Sequence, residues 1–119
     1  MARTLTFTGE MSWPLEDGKQ AAKANVSISL AYTSSISTEK VFSGTVTDEA
    51  VALPMASAKF MMIRAKTEDI SFKVNGGDQP IILKGDAGFF LVYNPDGAIT
   101  ALTVTVATSP ASLEFYAFA

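Results

Sequence analysis

The sequence predicts an all-β protein: an antiparallel β-sandwich, jelly-roll-like in form, with about eight to ten short strands in one domain spanning residues 1–119. Three observations carry this. Apolar residues recur at a spacing of two, Ser and Thr fill the alternate positions, and turn-forming residues interrupt the chain at short intervals. Strand side chains point to opposite faces in turn, so period-two patterning marks a half-buried strand. The β-branched Thr and Val suit that pleated surface better than a helix.

The elements follow in order. Leu5 and Phe7 alternate with Thr4, Thr6 and Thr8. Pro14–Ala24 reads as a loop with at most one helical turn: Pro14 suits a first turn and Gln20, Ala21 and Ala22 favour helix, but Gly18 interrupts them. Val26, Ile28, Leu30 and Tyr32 then alternate with Ser27, Ser29, Ala31 and Thr33. Glu39–Thr47 reads as one strand carrying Val41, Phe42 and Val46, with a bulge at Gly44. Ala50–Leu53 reads as a short strand stopped by Pro54. Ala58–Lys66 and Asp69–Asn75 read as neighbouring strands joined around Thr67 and Glu68.

Asn75-Gly76-Gly77-Asp78 is a turn, since glycine and asparagine tolerate the positive φ that tight hairpins demand. Gln79–Lys84 follows, turned by Gly85-Asp86 into Ala87–Asn94. Asn94-Pro95-Asp96-Gly97 is a second strong turn, because proline presets φ and glycine closes the reversal. Leu102, Val104 and Val106 alternate with Thr103 and Thr105, and Ser112–Phe118 forms the last strand.

Composition narrows the chemistry. The chain has no cysteine and no histidine, which removes disulfides, thiolate zinc sites, the cysteine nucleophile and the commonest general base. A formal charge of -3 with singly scattered Lys and Arg argues against nucleic acid, whose phosphates call for a basic surface. No apolar run approaches the roughly 20 residues of a membrane-spanning helix, and the alternating start has no apolar signal-peptide core. The sequence therefore predicts no enzyme, no cofactor and no metal.

Local motifs give little more. Ser37-Thr38-Glu39-Lys40 matches the Ser-x-x-Lys of serine acyl enzymes, which needs a helix start, but here it reads as a polar loop. The adjacent carboxylates Glu16–Asp17, Asp48–Glu49 and Glu68–Asp69 read as solvated turns rather than a glycosidase pair. Asp78, Asp86 and Asp96 sit in three turns and fall short of the oxygens a calcium site takes. Gly76, Gly77, Gly85 and Gly88 match no phosphate-binding spacing. Trp13, the single tryptophan, reads first as a plug at one end of the core, then as a partner anchor, and last as a sugar-stacking platform.

The informative feature is an excess of apolar strand surface. Charged residues make up 18% of the chain, against about 25% in an ordinary soluble domain. In a lone sandwich each strand has one wet face, yet Phe60–Ile63, Ile81–Leu83, Phe89–Tyr93 and Phe115–Phe118 are apolar on both. At about 25 cal/mol per Å², leaving them wet forgoes several kcal/mol. We therefore expect subunit contacts to bury the second face, with Trp13, Phe60, Met62, Ile82 and Phe89 among the interface residues. Phe90, Tyr93, Phe115, Tyr116 and Phe118 complete the expected set. Edge strands with few charges offer a further route to pairing between subunits. Loops such as Trp13–Ala24 laid across one sheet, or bulges shifting the register, are the competing explanation.

The order of features also resembles a family. Ser43-Gly44-Thr45-Val46-Thr47-Asp48 comes first, then Lys73-Val74-Asn75-Gly76-Gly77. Gly88–Gly97 and a terminal aromatic strand follow. This resembles the small all-β structural proteins of tailed-bacteriophage virions. The resemblance implies a non-enzymatic capsid decoration or cement subunit, with a neck or tail adaptor or a glycan- or receptor-contacting tail module as alternatives. It further implies partners that are copies of itself and other virion proteins, and a place in the virion after synthesis in the host cytoplasm.

Overall fold

Alternation fixes the first pair of strands. In the computed structural model, which describes residues 2–14, 22–85, 88–97 and 99–119, β1 (Arg3–Trp13) and β2 (Ala22–Tyr32) pair antiparallel without a register break. Leu5 stands opposite Leu30 and Phe7 opposite Ile28, while Thr6 meets Ser29 and Thr8 meets Ser27. One face of the hairpin is thus apolar and the other lined with hydroxyls. These strands form a sheet of their own, and Met1–Tyr32 is a compact unit separate from Thr33–Ala119. The two four-stranded sheets lie within the second unit. Of the loop expected over Pro14–Ala24, residues 22–24 belong to β2, and residues 15–21 lie outside the described residues.

The second unit holds β3 (Ser35–Phe42), β4 (Val46–Ala50), β5 (Phe60–Ala65), β6 (Ile70–Val74), β7 (Ile81–Leu83), β8 (Phe89–Tyr93), β9 (Leu102–Val106) and β10 (Ala111–Phe118). They form two four-stranded antiparallel sheets, ordered β3-β10-β5-β8 and β4-β9-β6-β7. All-β, antiparallel and sandwiched is what the alternation implies. Pairing is nested: β3 joins β10, β4 joins β9, β5 joins β8 and β6 joins β7. Every inner face contributes to one core, whose largest fully buried side chains include Phe72, Phe115, Met61, Ile63 and Leu113. Phe72 and Phe90 meet edge to face across the core, with ring centroids 5.1 Å apart.

Several expectations shift. Glu39–Thr47 is two strands, because the chain leaves β3 after Phe42 and enters the opposite sheet at Val46. The irregularity falls at Asp48, with φ +49°, rather than at Gly44. Residues 51–53 form no strand, although the Val51 amide donates to the Leu102 carbonyl at 2.9 Å. β5 and β6 follow one another in sequence but belong to different sheets, as do β7 and β8.

The turns hold as expected. Asn75 and Gly76 both take positive φ, and the Gly77 amide donates to the Val74 carbonyl at 3.0 Å. At the other, Gly97 has φ +80° and donates to Asn94, whose side chain also accepts the Asp96 amide. A Cβ at Gly97 would stand 2.7 Å from Ser57 Oγ, so both conformation and space call for glycine.

Candidate assembly surface

Strand parity decides which side chains of the β3-β10-β5-β8 sheet face inward. On β5, Met61, Ile63 and Ala65 enter the core, so Phe60, Met62 and Arg64 face outward. On β10, Leu113, Phe115 and Ala117 are inward and Glu114, Tyr116 and Phe118 outward; on β8, Phe90 and Val92 pack on the core and Phe89, Leu91 and Tyr93 face outward. The register then aligns three outward rows. Phe118, Phe60 and Tyr93 make the first, Tyr116, Met62 and Leu91 the second, and Glu114, Arg64 and Phe89 the third.

Two of these rows are wholly built from large apolar or aromatic side chains. Phe60 lies edge-on to Phe118, ring centroids 6.0 Å apart. Met62, Leu91, Tyr93, Tyr116 and Phe118 are half-buried, and Phe89 at the edge is 64% exposed. The Tyr116 hydroxyl donates to Glu114 at 3.2 Å. Burial, then the Glu114 charge, holds this phenol above its ordinary pKa, so it stays a neutral donor. The third row and its flank carry the charges: Lys66 reaches Glu39 at 3.3 Å and Glu114 at 3.5 Å. The hydrogen bond to Glu39 is the main reason the Lys66 ammonium is held above its usual range.

The opposite sheet is built differently. Its outer face carries Ser71 beside Thr105 and Lys73 beside Thr103. Lys73 pairs with Asp48 at 3.3 Å, and the Asp48 amide donates to the Thr105 hydroxyl at 3.0 Å. Ile82, 61% exposed, is an apolar side chain on an otherwise polar face. Outward positions are thus mainly polar on this sheet and mainly apolar on the β3-β10-β5-β8 sheet.

The residues expected at an interface divide accordingly. Met62, Phe89, Tyr93, Tyr116 and Phe118 share the apolar outer face, and Phe60, which has the same strand parity, is a correction because it is buried at 4% exposure. Ile82 sits on the other sheet. Phe90 and Phe115 are corrections: both point into the inter-sheet core, and Phe115 is buried. The two-faced strands were legible, but which of their faces pointed inward was not. Leu91, at the β8 end of the second row, was not among the expected interface residues. Trp13 ends β1 opposite Ala22, is 41% exposed and is not among the buried core side chains.

Comparison with family models, with curated proteins and with solved structures finds no match to this chain. Its own side chains must therefore speak for its chemistry. Ser37–Lys40 lies within β3 rather than in a loop, which denies the motif its helix; Lys40 instead pairs with Glu49 at 3.7 Å. Asp69 accepts the Gly85 amide at 2.8 Å and Lys84 Nζ at 3.1 Å, and these bonds hold its carboxyl below the usual carboxylate range. Glu16, Asp17 and Asp86 lie outside the described residues. Among the described residues no cluster of three or more acidic side chains is placed to hold a metal ion. No helix of the described residues is long and apolar enough to cross a membrane.

Proposed function

We propose that this chain is a non-enzymatic virion structural protein that self-associates and docks on a tailed-phage particle as a capsid decoration or cement subunit. The supporting observation is the contrast between the outer faces of the two sheets. Thr103, Thr105 and Lys73 line one, whereas the exposed Phe89 and the half-buried Met62, Leu91, Tyr93, Tyr116 and Phe118 make the other apolar. Contiguous apolar surface of that kind marks interaction sites. The nested strand pairing reads as jelly-roll winding, which viral capsid domains share with lectins and cupins; winding alone assigns no function, and the apolar face is what favours assembly. Light scattering of the purified protein, with cryo-EM of phage particles, tests the proposal. Association at micromolar concentration and density on the particle surface support it, while a stable monomer absent from virions overturns it.

A second reading, a glycan-contacting module of a tail or fibre, is favoured by the exposed Trp13 ring. Glycan-array binding abolished by Trp13→Ala would favour it over decoration, and no binding by the parent protein removes it.

A further inference from the structure

Sheet edges present unpaired backbone groups, and proteins ordinarily guard them with charge, proline, bulges or short length. Nearly every edge here has such a guard. β3 carries Glu39 and Lys40, and β4 carries Asp48, Glu49 and an irregular register. β7 has three residues between Pro80 and Lys84. In the hairpin, β1 carries Arg3 and Glu10 and β2 carries Lys23. β8 is the exception. Its sequence is Phe89-Phe90-Leu91-Val92-Tyr93, with neither charge nor proline, and among the described strands it is hydrogen-bonded to β5 alone.

The hydrogen bonds at its two ends fix which backbone groups remain. The Ala65 amide donates to the Gly88 carbonyl at 2.9 Å, and the Asn94 amide donates to the Lys59 carbonyl at 2.7 Å. In an antiparallel ladder bonded pairs alternate, so Phe90 and Val92 turn both N–H and C=O toward β5, between the Gly88 carbonyl and the Asn94 amide. Phe89, Leu91 and Tyr93 turn theirs to the open edge. The same three residues place their side chains on the apolar outer face.

We propose that β8 is the self-assembly edge: two copies pair β8 to β8, antiparallel, about a dyad at Leu91, joining their sheets into one. Leu91 then exchanges both backbone bonds with its counterpart, and Phe89 exchanges both with Tyr93 of the second copy. Cross-strand neighbours become Phe89 with Tyr93 and Phe90 with Val92. Aromatic–aromatic and aromatic–β-branched pairs of this kind stabilise sheets. A strand whose composition mirrors about its centre suits the self-complementary contact a two-fold axis requires, and with no charge on β8 no like charges meet across the axis. An unrelated peptide would need no such mirror symmetry, which is why the occupant is a second copy. This inference rests on the self-association reading and specifies its geometry.

Three variants test it by light scattering, circular dichroism and oxidative cross-linking. Leu91→Pro removes an edge N–H that β5 does not use, and proline is tolerated on edge strands. It should keep the β spectrum and halve the mass of the smallest associated species, whereas Leu91→Ala, which keeps the N–H, should still associate. If Leu91→Pro unfolds, cross-linking decides. The chain has no cysteine, so Leu91→Cys should oxidise to a covalent dimer, its Cα atoms about 5.5 Å apart across the dyad. Met62→Cys, on β5, should not, because edge pairing separates the two copies by roughly 14 Å. Association that survives Leu91→Pro, or a wild type that associates while Leu91→Cys fails to cross-link, overturns the edge geometry alone. A wild type that stays monomeric overturns both this and the self-association reading.

Discussion

Glu39 and Glu114 stand directly opposite each other on β3 and β10. Like charges so placed destabilise a sheet, and Lys66 relieves them by reaching both carboxylates. Lys66→Met should therefore lower the melting temperature, more at low salt than at high salt, since exposed charges are screened. Glu39→Gln in the same background should restore most of the loss. Thermal melts at two ionic strengths check both, and a salt-independent loss would assign Lys66 a packing role instead.

Asn75 joins two segments. Its Oδ1 accepts the Thr100 amide at 2.8 Å, the Thr100 hydroxyl at 3.1 Å and the Ala101 amide at 3.3 Å, while its backbone sits at φ +55°. Asn75→Ala should cost about 1–3 kcal/mol through lost bonds plus left-handed strain. Asn75→Gly removes the bonds but not the permitted backbone, so urea denaturation should place it between wild type and alanine.

Acid should weaken the β6–β7 end first. Asp69 titrates below its ordinary value because the Gly85 amide, then Lys84, favours the carboxylate. Its contribution is complete above about pH 4 and fades as pH falls through the lowered folded value. Asp69→Asn, which keeps an acceptor for Gly85 but does not titrate, should flatten the stability–pH curve below pH 4. An unchanged acid limb would show that another carboxylate governs it.

Core and surface aromatics should separate cleanly. Phe115 is buried, so Phe115→Ala should cost about 3–5 kcal/mol and Phe115→Leu on the order of 1 kcal/mol, with no change in assembly mass for the folded leucine variant. Phe89→Ser should leave stability within about 0.5 kcal/mol yet weaken association. Melting curves and sedimentation of both variants provide the comparison.

What was legible in the sequence follows from what period-two patterning encodes. It reports which residues share a face, so β1, β2 and β9 and the two-faced character of β5, β8 and β10 could be read directly. It does not report which face looks inward; that depends on strands distant in the chain. Phe90 and Phe115 were misplaced for this reason, and Phe60, outward by parity, is nonetheless buried. Turn chemistry is local, so Asn75-Gly76 and Asn94–Gly97 were recoverable. Sheet membership is not local: Thr67 and Glu68 connect β5 to β6, yet the ladders of those strands form with β10 and β9. The separate pairing of β1 with β2 left no mark in the alternation, because a hairpin with one apolar face has the pattern of any sandwich strand.

The nested pairing also bears on how the second unit folds during synthesis. Only β6 and β7 are partnered close along the chain, and each further pair outward spans a longer stretch, up to Ser35 with Phe118. Closing long loops is slow, so the ladder should zip from the β6–β7 turn toward the ends. The central strand β10 enters last, and Phe115 with it. Until the ribosome has released that strand, β3 and β5 lack their shared neighbour, and the nascent protein depends on its surroundings to stay unaggregated.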